Sequence, residues 1–164
     1  MCATLVRMER RKDPGESLRT HVQTFVRSFG LLRDAETPCG QPLPLSHAHA
    51  LSVLLERRRL SAPTRQKDLA MALALDKSSV ARLCRRMEQV AHVVQARSED
   101  DGRARELTLT PKGARVAREV DAASRRRFER VLAAMPHAKR GRVIEALAVL
   151  NAAVETLENQ EGAR

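Results

Sequence analysis

Apolar residues recur at helical spacing through much of the chain. Leu18, Val22, Phe25, Val26, Phe29 and Leu32 predict a first helix from Ser17 to Leu32. The segment Thr37–Pro44 holds Pro38, Gly40, Pro42 and Pro44, which makes it a loop. Ser46 is placed to cap a second helix that runs through Leu51, Leu54 and Leu55 to Glu56. Ala62-Pro63-Thr64 opens a short third helix, Arg65–Leu73, with Thr64 as its cap. Ala74-Leu75 forms a tight connection, and Asp76 caps a fourth helix, Lys77–Gln89. Two helices joined by so short a turn have the form of a helix-turn-helix.

The period then changes. Val93-Val94 and Leu107-Thr108-Leu109-Thr110 are short, β-branched and partly alternating, so they predict strands. Between them Ser98–Arg103 is a charged turn containing Gly102. A hairpin directly after a helix-turn-helix is a wing. Pro111 opens a fifth helix that ends before Pro136, with Val116, Val120, Phe128, Val131 and Leu132 expected inward. The sixth spans Lys139–Glu158, where Val143, Leu147, Leu150, Val154 and Leu157 alternate fours and threes, a seam that needs a partner helix. The expected fold class is mainly α with a small β-hairpin wing: a winged helix-turn-helix plus a helical dimerisation region. Residues 1–16 are expected to be a flexible N-terminal arm. Residues 17–45 and 111–160 would form the dimerisation region, and 46–110 the DNA-binding lobe.

Composition sharpens this picture. Of 164 residues, 43% are hydrophobic, which excludes a wholly disordered chain. The only aromatics are three Phe, so the core must be built from Leu, Val, Ala and Met. A net charge of +10 calls for a polyanionic partner, most often nucleic acid, although a ribosome or a membrane surface would also attract it. Cys2, Cys39 and Cys84 neither form a disulfide framework nor show metal-site spacing, which suits the reducing cytoplasm. The charged N-terminus lacks an apolar stretch of signal-peptide length, and no 18-residue apolar run occurs, so no membrane partner is expected.

The fourth helix carries the chemistry. Val80, Leu83, Cys84 and Met87 share one face, while Lys77, Ser78, Ser79, Arg82, Arg85 and Arg86 lie off it. Such a helix can be clamped on its apolar side and presented to a DNA groove on the other. Arginine pairs bidentately with guanine, serine bonds bases or phosphates, and a helix N-terminus favours phosphate. At the expected wing tip, Arg103 suits a narrow minor groove, and Asp101 can hold its guanidinium in place.

Leu69-Ala70-x-x-Leu73-x-Leu75-Asp76-Lys77-Ser78-Ser79-Val80-x-Arg82-Leu83, then Asp101-Gly102-Arg103, then Leu107-Thr108-Leu109-Thr110-Pro111-Lys112-Gly113 resembles the MarR (multiple antibiotic resistance regulator) family. The motif block covers residues 64–113, and the helix order extends it across 17–158. The resemblance implies a homodimeric regulator, its dimer built from the first, fifth and sixth helices. It further implies double-stranded DNA as partner, usually a palindromic operator, with the fourth helix in the major groove and Arg103 in the minor groove. Release by a small anionic or phenolic effector is implied as well. The sequence departs from the family at Ala74 and Ala91, where glycine is common. A positive φ at either would cost roughly 1 kcal/mol of strain.

Lesser candidates remain. His47 and His49 open the second helix, near one wall of the family's effector pocket, and could bind an anion or sense pH. Cys39 with either His could suggest zinc, but no His falls in residues 93–136, so neither metal nor cofactor is expected. Arg125, Arg126, Arg127 and Arg130 could flank phosphates or line a pocket. The chain shows no nucleophile elbow, phosphate loop or paired catalytic carboxylates, so it is not expected to be an enzyme. The function read here is a sequence-specific regulator, a repressor released by an effector. The alternatives are a nucleoid-like, non-specific DNA binder and a redox-sensing regulator using Cys39.

Overall fold

A computed structural model describes residues 13–33, 35–97 and 105–162. The order of elements is α1 (Pro14–Phe29), α2 (Leu45–Arg59), α3 (Gln66–Leu73), α4 (Lys77–Gln89), β1 (Val93–Arg97), β2 (Arg105–Leu109), α5 (Pro111–Ala133) and α6 (His137–Gly162). The fold is mainly helical with one antiparallel hairpin, as the periodicities predict. The chain divides into two compact units, Met1–Val120 and Asp121–Arg164.

Helix α1 begins at Pro14, three residues before the expected Ser17, so residues 14–16 do not belong to a loose arm. The cause is local. The Asp13 carboxylate accepts from Glu16 N–H at 3.4 Å, and Pro14 fits the first turn because it needs no amide partner there. The helix stops at Gly30, whose φ of 87° only glycine adopts cheaply. No residue of α1 is fully buried, and Leu18, Val22 and Phe25 are exposed.

The core of the first unit gathers Leu51, Leu54 and Leu55 of α2, Leu69 of α3, Val80, Leu83, Cys84 and Met87 of α4, Val93 of β1, and Leu107 and Leu109 of β2. Every one is aliphatic or sulfur-bearing. Helix α2 starts after Pro44 without a side-chain cap, so Ser46 does not play the expected part, and the helix runs on to Arg59. Thr64 does not cap α3 either. It is buried, and its hydroxyl accepts from Arg57 Nε at 3.1 Å, while Asp68 of α3 accepts from Arg65 N–H at 2.8 Å. Arg57 also donates to Pro63 O at 2.9 Å, tying the end of α2 to the turn that follows. Leu107 N–H donates to Thr64 O at 2.8 Å, adding a short bridge to the hairpin edge.

The hairpin pairs Val93 with Leu109 through to Arg97 with Arg105. Beyond Thr110, the chain turns into α5 against the backbone of His92. Thr110 N–H donates to His92 O at 3.1 Å, and its hydroxyl donates to Ala91 O at 2.7 Å. A Cβ on Gly113 would lie 1.8 Å from the His92 carbonyl oxygen. In the second unit, Arg140 of α6 donates to Met135 O and Ala133 O, closing the turn between α5 and α6. Phe128 and Leu132, expected inward, are exposed, as are Leu147, Val154 and Leu157 on α6. Their spacing marks an apolar face that the described residues leave exposed.

Ala74 and Ala91 both adopt left-handed backbone, with φ of 49° and 56°. The strain expected from the family comparison is therefore real at both turns. Ala74→Gly and Ala91→Gly should each raise stability by about 0.5–1 kcal/mol in urea unfolding, the relieved strain exceeding glycine's extra unfolded-state entropy. Gly113→Ala, by contrast, should cost about 2–4 kcal/mol in the same assay, although alanine favours helices, because its methyl meets immovable backbone.

Candidate nucleic-acid interface

Helix α4 is mounted by the turn Ala74-Leu75-Asp76. Leu75 N–H bonds back to Ala70 O at 3.1 Å, closing α3. Asp76 then caps α4 fully. Its Oδ1 accepts from Ser79 N–H at 2.9 Å and from Ser78 Oγ at 2.6 Å, and its Oδ2 accepts from Ser79 Oγ at 2.6 Å. These bonds, led by the Ser78 and Ser79 hydroxyls, hold the Asp76 carboxyl far below the usual carboxylate range, so it stays ionised. Arg82 Nη2 donates to Ser79 Oγ at 3.0 Å, which extends the chain of bonds along the helix.

The two serines thus differ from the sequence expectation. Their hydroxyl protons serve the cap, which leaves them as acceptors, and Ser79 Oγ already accepts from Arg82. Lys77, Ser78, Arg82, Arg85 and Arg86 are exposed and Ser79 is half-buried. At about 100° per residue, Ser78, Arg82, Arg85 and Gln89 fall within an arc of roughly 60°, opposite the buried Val80–Met87 face. Gln89 was not singled out from the sequence, although the same helical count places it there. Ser79 and Arg86 flank this ridge, and the charge of Arg86 acts on His47 of α2. Asp101 and Arg103 lie outside the described residues.

Behind the ridge, polar side chains brace the hairpin. Gln66 Nε2 of α3 donates to Gln95 Oε1 at 2.6 Å, and Gln95 Nε2 donates to Glu88 Oε2 of α4 at 2.9 Å. This relay joins α3, β1 and α4, and no local pattern of residues signals it.

His47 and His49 do not form one site. His49 is exposed, whereas His47 is only 6% exposed and its Nε2 lies 3.0 Å from Nδ1 of His92, itself 6% exposed. Burial, followed by the charges of His92 and Arg86, lowers His47 to about 4. Burial and Lys112 lower His92 as well. A different cluster offers the anion chemistry. Arg58 and Arg59 of α2 and Arg118 of α5 surround Leu55 at a cavity of about 330 Å³. The run Arg57-Arg58-Arg59 was visible in the sequence, but nothing there pointed to Arg118.

Cys39 is half-buried, with its sulfur 3.0 Å from the Thr37 hydroxyl. Cys84 is buried in the core, and burial pushes its thiol up to about 11. No group of three metal-ligating side chains occurs among the described residues. None of the described helices is long and apolar enough to cross a membrane.

Residues 41–104 match the model of the MarR family. No curated protein matches the sequence. Among solved structures, the chain is similar to a probable transcriptional regulator from Pseudomonas aeruginosa, with 24% identity and a TM-score of 0.63 over 85% of this chain and 97% of that one. It is also similar to the PcaV transcriptional regulator of Streptomyces coelicolor in complex with its natural ligand (20% identity, TM-score 0.63, 94% and 99% covered). A third similar structure is Streptococcus pneumoniae FabT in complex with DNA (19% identity, TM-score 0.66, 87% and 96% covered). Residues 41–104 are thus similar to the MarR family, and the chain shares its winged helix-turn-helix fold with these structures along most of its length.

Proposed function

We propose that the protein is a sequence-specific DNA-binding transcriptional regulator, a homodimeric repressor released by a small anionic effector. The observation that carries this reading is the arginine-bearing ridge of α4, held rigidly by the Asp76 cap and backed by a fully apolar face. Arg82 and Arg85 on that ridge are the candidates for guanine contacts in the major groove, with Lys77 and Arg86 placed for flanking phosphates. Asp101 and Arg103 keep their proposed minor-groove role from sequence. The DNA complex of FabT supports the same use of the fold. A net charge of +10 adds sequence-independent attraction.

Two further features support the finer parts of the proposal. The exposed apolar residues of α1, and separately those of α6, are the surfaces a second copy would cover. The open depression at Leu55, Arg58, Arg59 and Arg118 sets positive charge beside an apolar floor, the chemistry that attracts an aromatic carboxylate. Release then requires the effector to favour the DNA-incompetent arrangement of the dimer. PcaV, solved with its natural ligand, is a structural precedent for a ligand-bound protein of this fold.

Binding to the DNA upstream of the protein's own gene, against a scrambled duplex at two salt concentrations, tests the core of the reading. Preference for the native fragment should survive the higher salt, and Arg82→Ala or Arg85→Ala should reduce that preference by about 1–3 kcal/mol. Equal, salt-sensitive binding to both duplexes would instead support a nucleoid-like binder. For the effector, calorimetry with benzoate and 4-hydroxybenzoate should detect binding that Arg118→Ala weakens at least several-fold, while DNA affinity without ligand is unchanged. Unaltered ligand binding in that variant would remove the cavity from the proposal.

A further inference from the structure

DNA recognition has no use for two buried imidazoles, yet His47 and His92 meet inside the lobe at 3.0 Å, edge to face, across 45 residues of sequence. His92 sits where three elements converge. Its N–H donates to Met87 O of α4 at 2.8 Å, its carbonyl accepts from Thr110 at the entrance to α5, and Gly113 packs against that carbonyl. His47 belongs to α2. The ring contact is therefore a side-chain tie between α2 and the corner that carries the end of α4 and the start of the hairpin.

The tie needs neutral rings. One ring nitrogen donates its proton and the other offers a lone pair, so the contact uses a single proton. A second proton between them would set two N–H groups against each other. A proton on either outer nitrogen would leave the bond but place a cation in a buried site. The charged groups that bear on the pair are both positive: Arg86 from α4 and Lys112 from α5, whose Nζ donates to Val90 O at 2.9 Å. His49, on the same helix as His47, is exposed on a different side. Cys84 of α4, buried in the adjoining core, remains a neutral thiol.

We propose that the His47–His92 contact is an acid-sensitive latch, which holds the end of the recognition helix against α2 while both rings are neutral and opens on proton uptake, weakening DNA binding. The DNA consequence rests on the function proposed above, whereas the latch itself does not. The sign follows from linkage. The closed state keeps His47 neutral down to about pH 4, while an opened or unfolded state takes up protons near pH 6.5. Closure is thus fully favoured above pH 6.5 and is lost progressively as the pH falls toward 4. At pH 5 the proton on His47 alone shifts the balance toward opening by about 30-fold.

The test uses the full-length protein at pH 7.5 and 5.0. Amide hydrogen exchange at His92 and Thr110, corrected for intrinsic rates, should lose up to about 30-fold in protection at pH 5, while exchange at Leu51 and Leu83 changes less. His47→Gln and His92→Gln should abolish this pH response and the accompanying loss of affinity for the upstream duplex. The same pH response in wild type and both variants would overturn the latch. If the variants do not fold, an NMR titration of the wild-type imidazoles decides. His47 titrating near pH 6.5 with protection unchanged overturns the proposal, and titration coupled to loss of protection at His92 supports it. Failure to bind any duplex at either pH would refute the DNA-binding reading, while the exchange data would still decide the latch.

Discussion

The lobe depends on one backbone carbonyl, that of His92. It accepts the amide of Thr110, just before α5, and it lies so close to Gly113 that no side chain fits between them. The same residue closes α4 through its own amide and reaches α2 through its ring. Helix α4, the hairpin, α2 and the start of α5 are thus referred to a single point. Close-packed interiors transmit small displacements rather than absorbing them, so a shift at this corner must move the helix that carries the arginines. Cohesion elsewhere in the lobe is diffuse. It comes from many aliphatic contacts, none of them aromatic, as a composition poor in Phe and lacking Trp and Tyr requires.

The electrostatics of the helix-turn-helix are organised around a similar economy. Asp76 gathers the hydroxyls of two serines and the amide of one. A carboxylate at the helix start complements the helix dipole, though it also repels phosphate at that position. On the proposed function, phosphate and base contacts fall to the arginines further along. Arg57 is a counterexample within the same basic composition, because its guanidinium is spent on Thr64, Pro63 and Asp68 and serves the fold. A net charge counts both kinds of arginine alike, and only the structure separates them.

Much of this was legible in the sequence. Apolar spacing located every helix to within a few residues, and alternation found both strands, because each signal is set by the local period of burial. The Asp76 cap was readable from residue type, whereas the left-handed turns at Ala74 and Ala91 were signalled only by the glycines usual at those places in the family it resembles. The early start of α1 was missed because its first turn, Pro14-Gly15-Glu16, carries no apolar residue, although Asp13-Pro14 is a cap signal in its own right. What the sequence hid was long-range pairing. Thr64 looked like a cap and instead serves Arg57, and His47, a candidate for effector binding or pH sensing at the start of α2, meets His92 far along the chain. Phe128 and Leu132 show a related limit, since an apolar face announces that it will be covered without saying by what.

Helix α4 is bracketed by its two left-handed alanines, one just before its cap and one just after its end. Each holds its turn about 1 kcal/mol above what glycine would need, and that energy returns when the turn relaxes. The helix is thus held between two stiff joints. Alanine has only a narrow left-handed well where glycine has a broad one, so tilting α4 costs more than moving the same helix between glycine turns, and the lobe presents it at a fixed pitch.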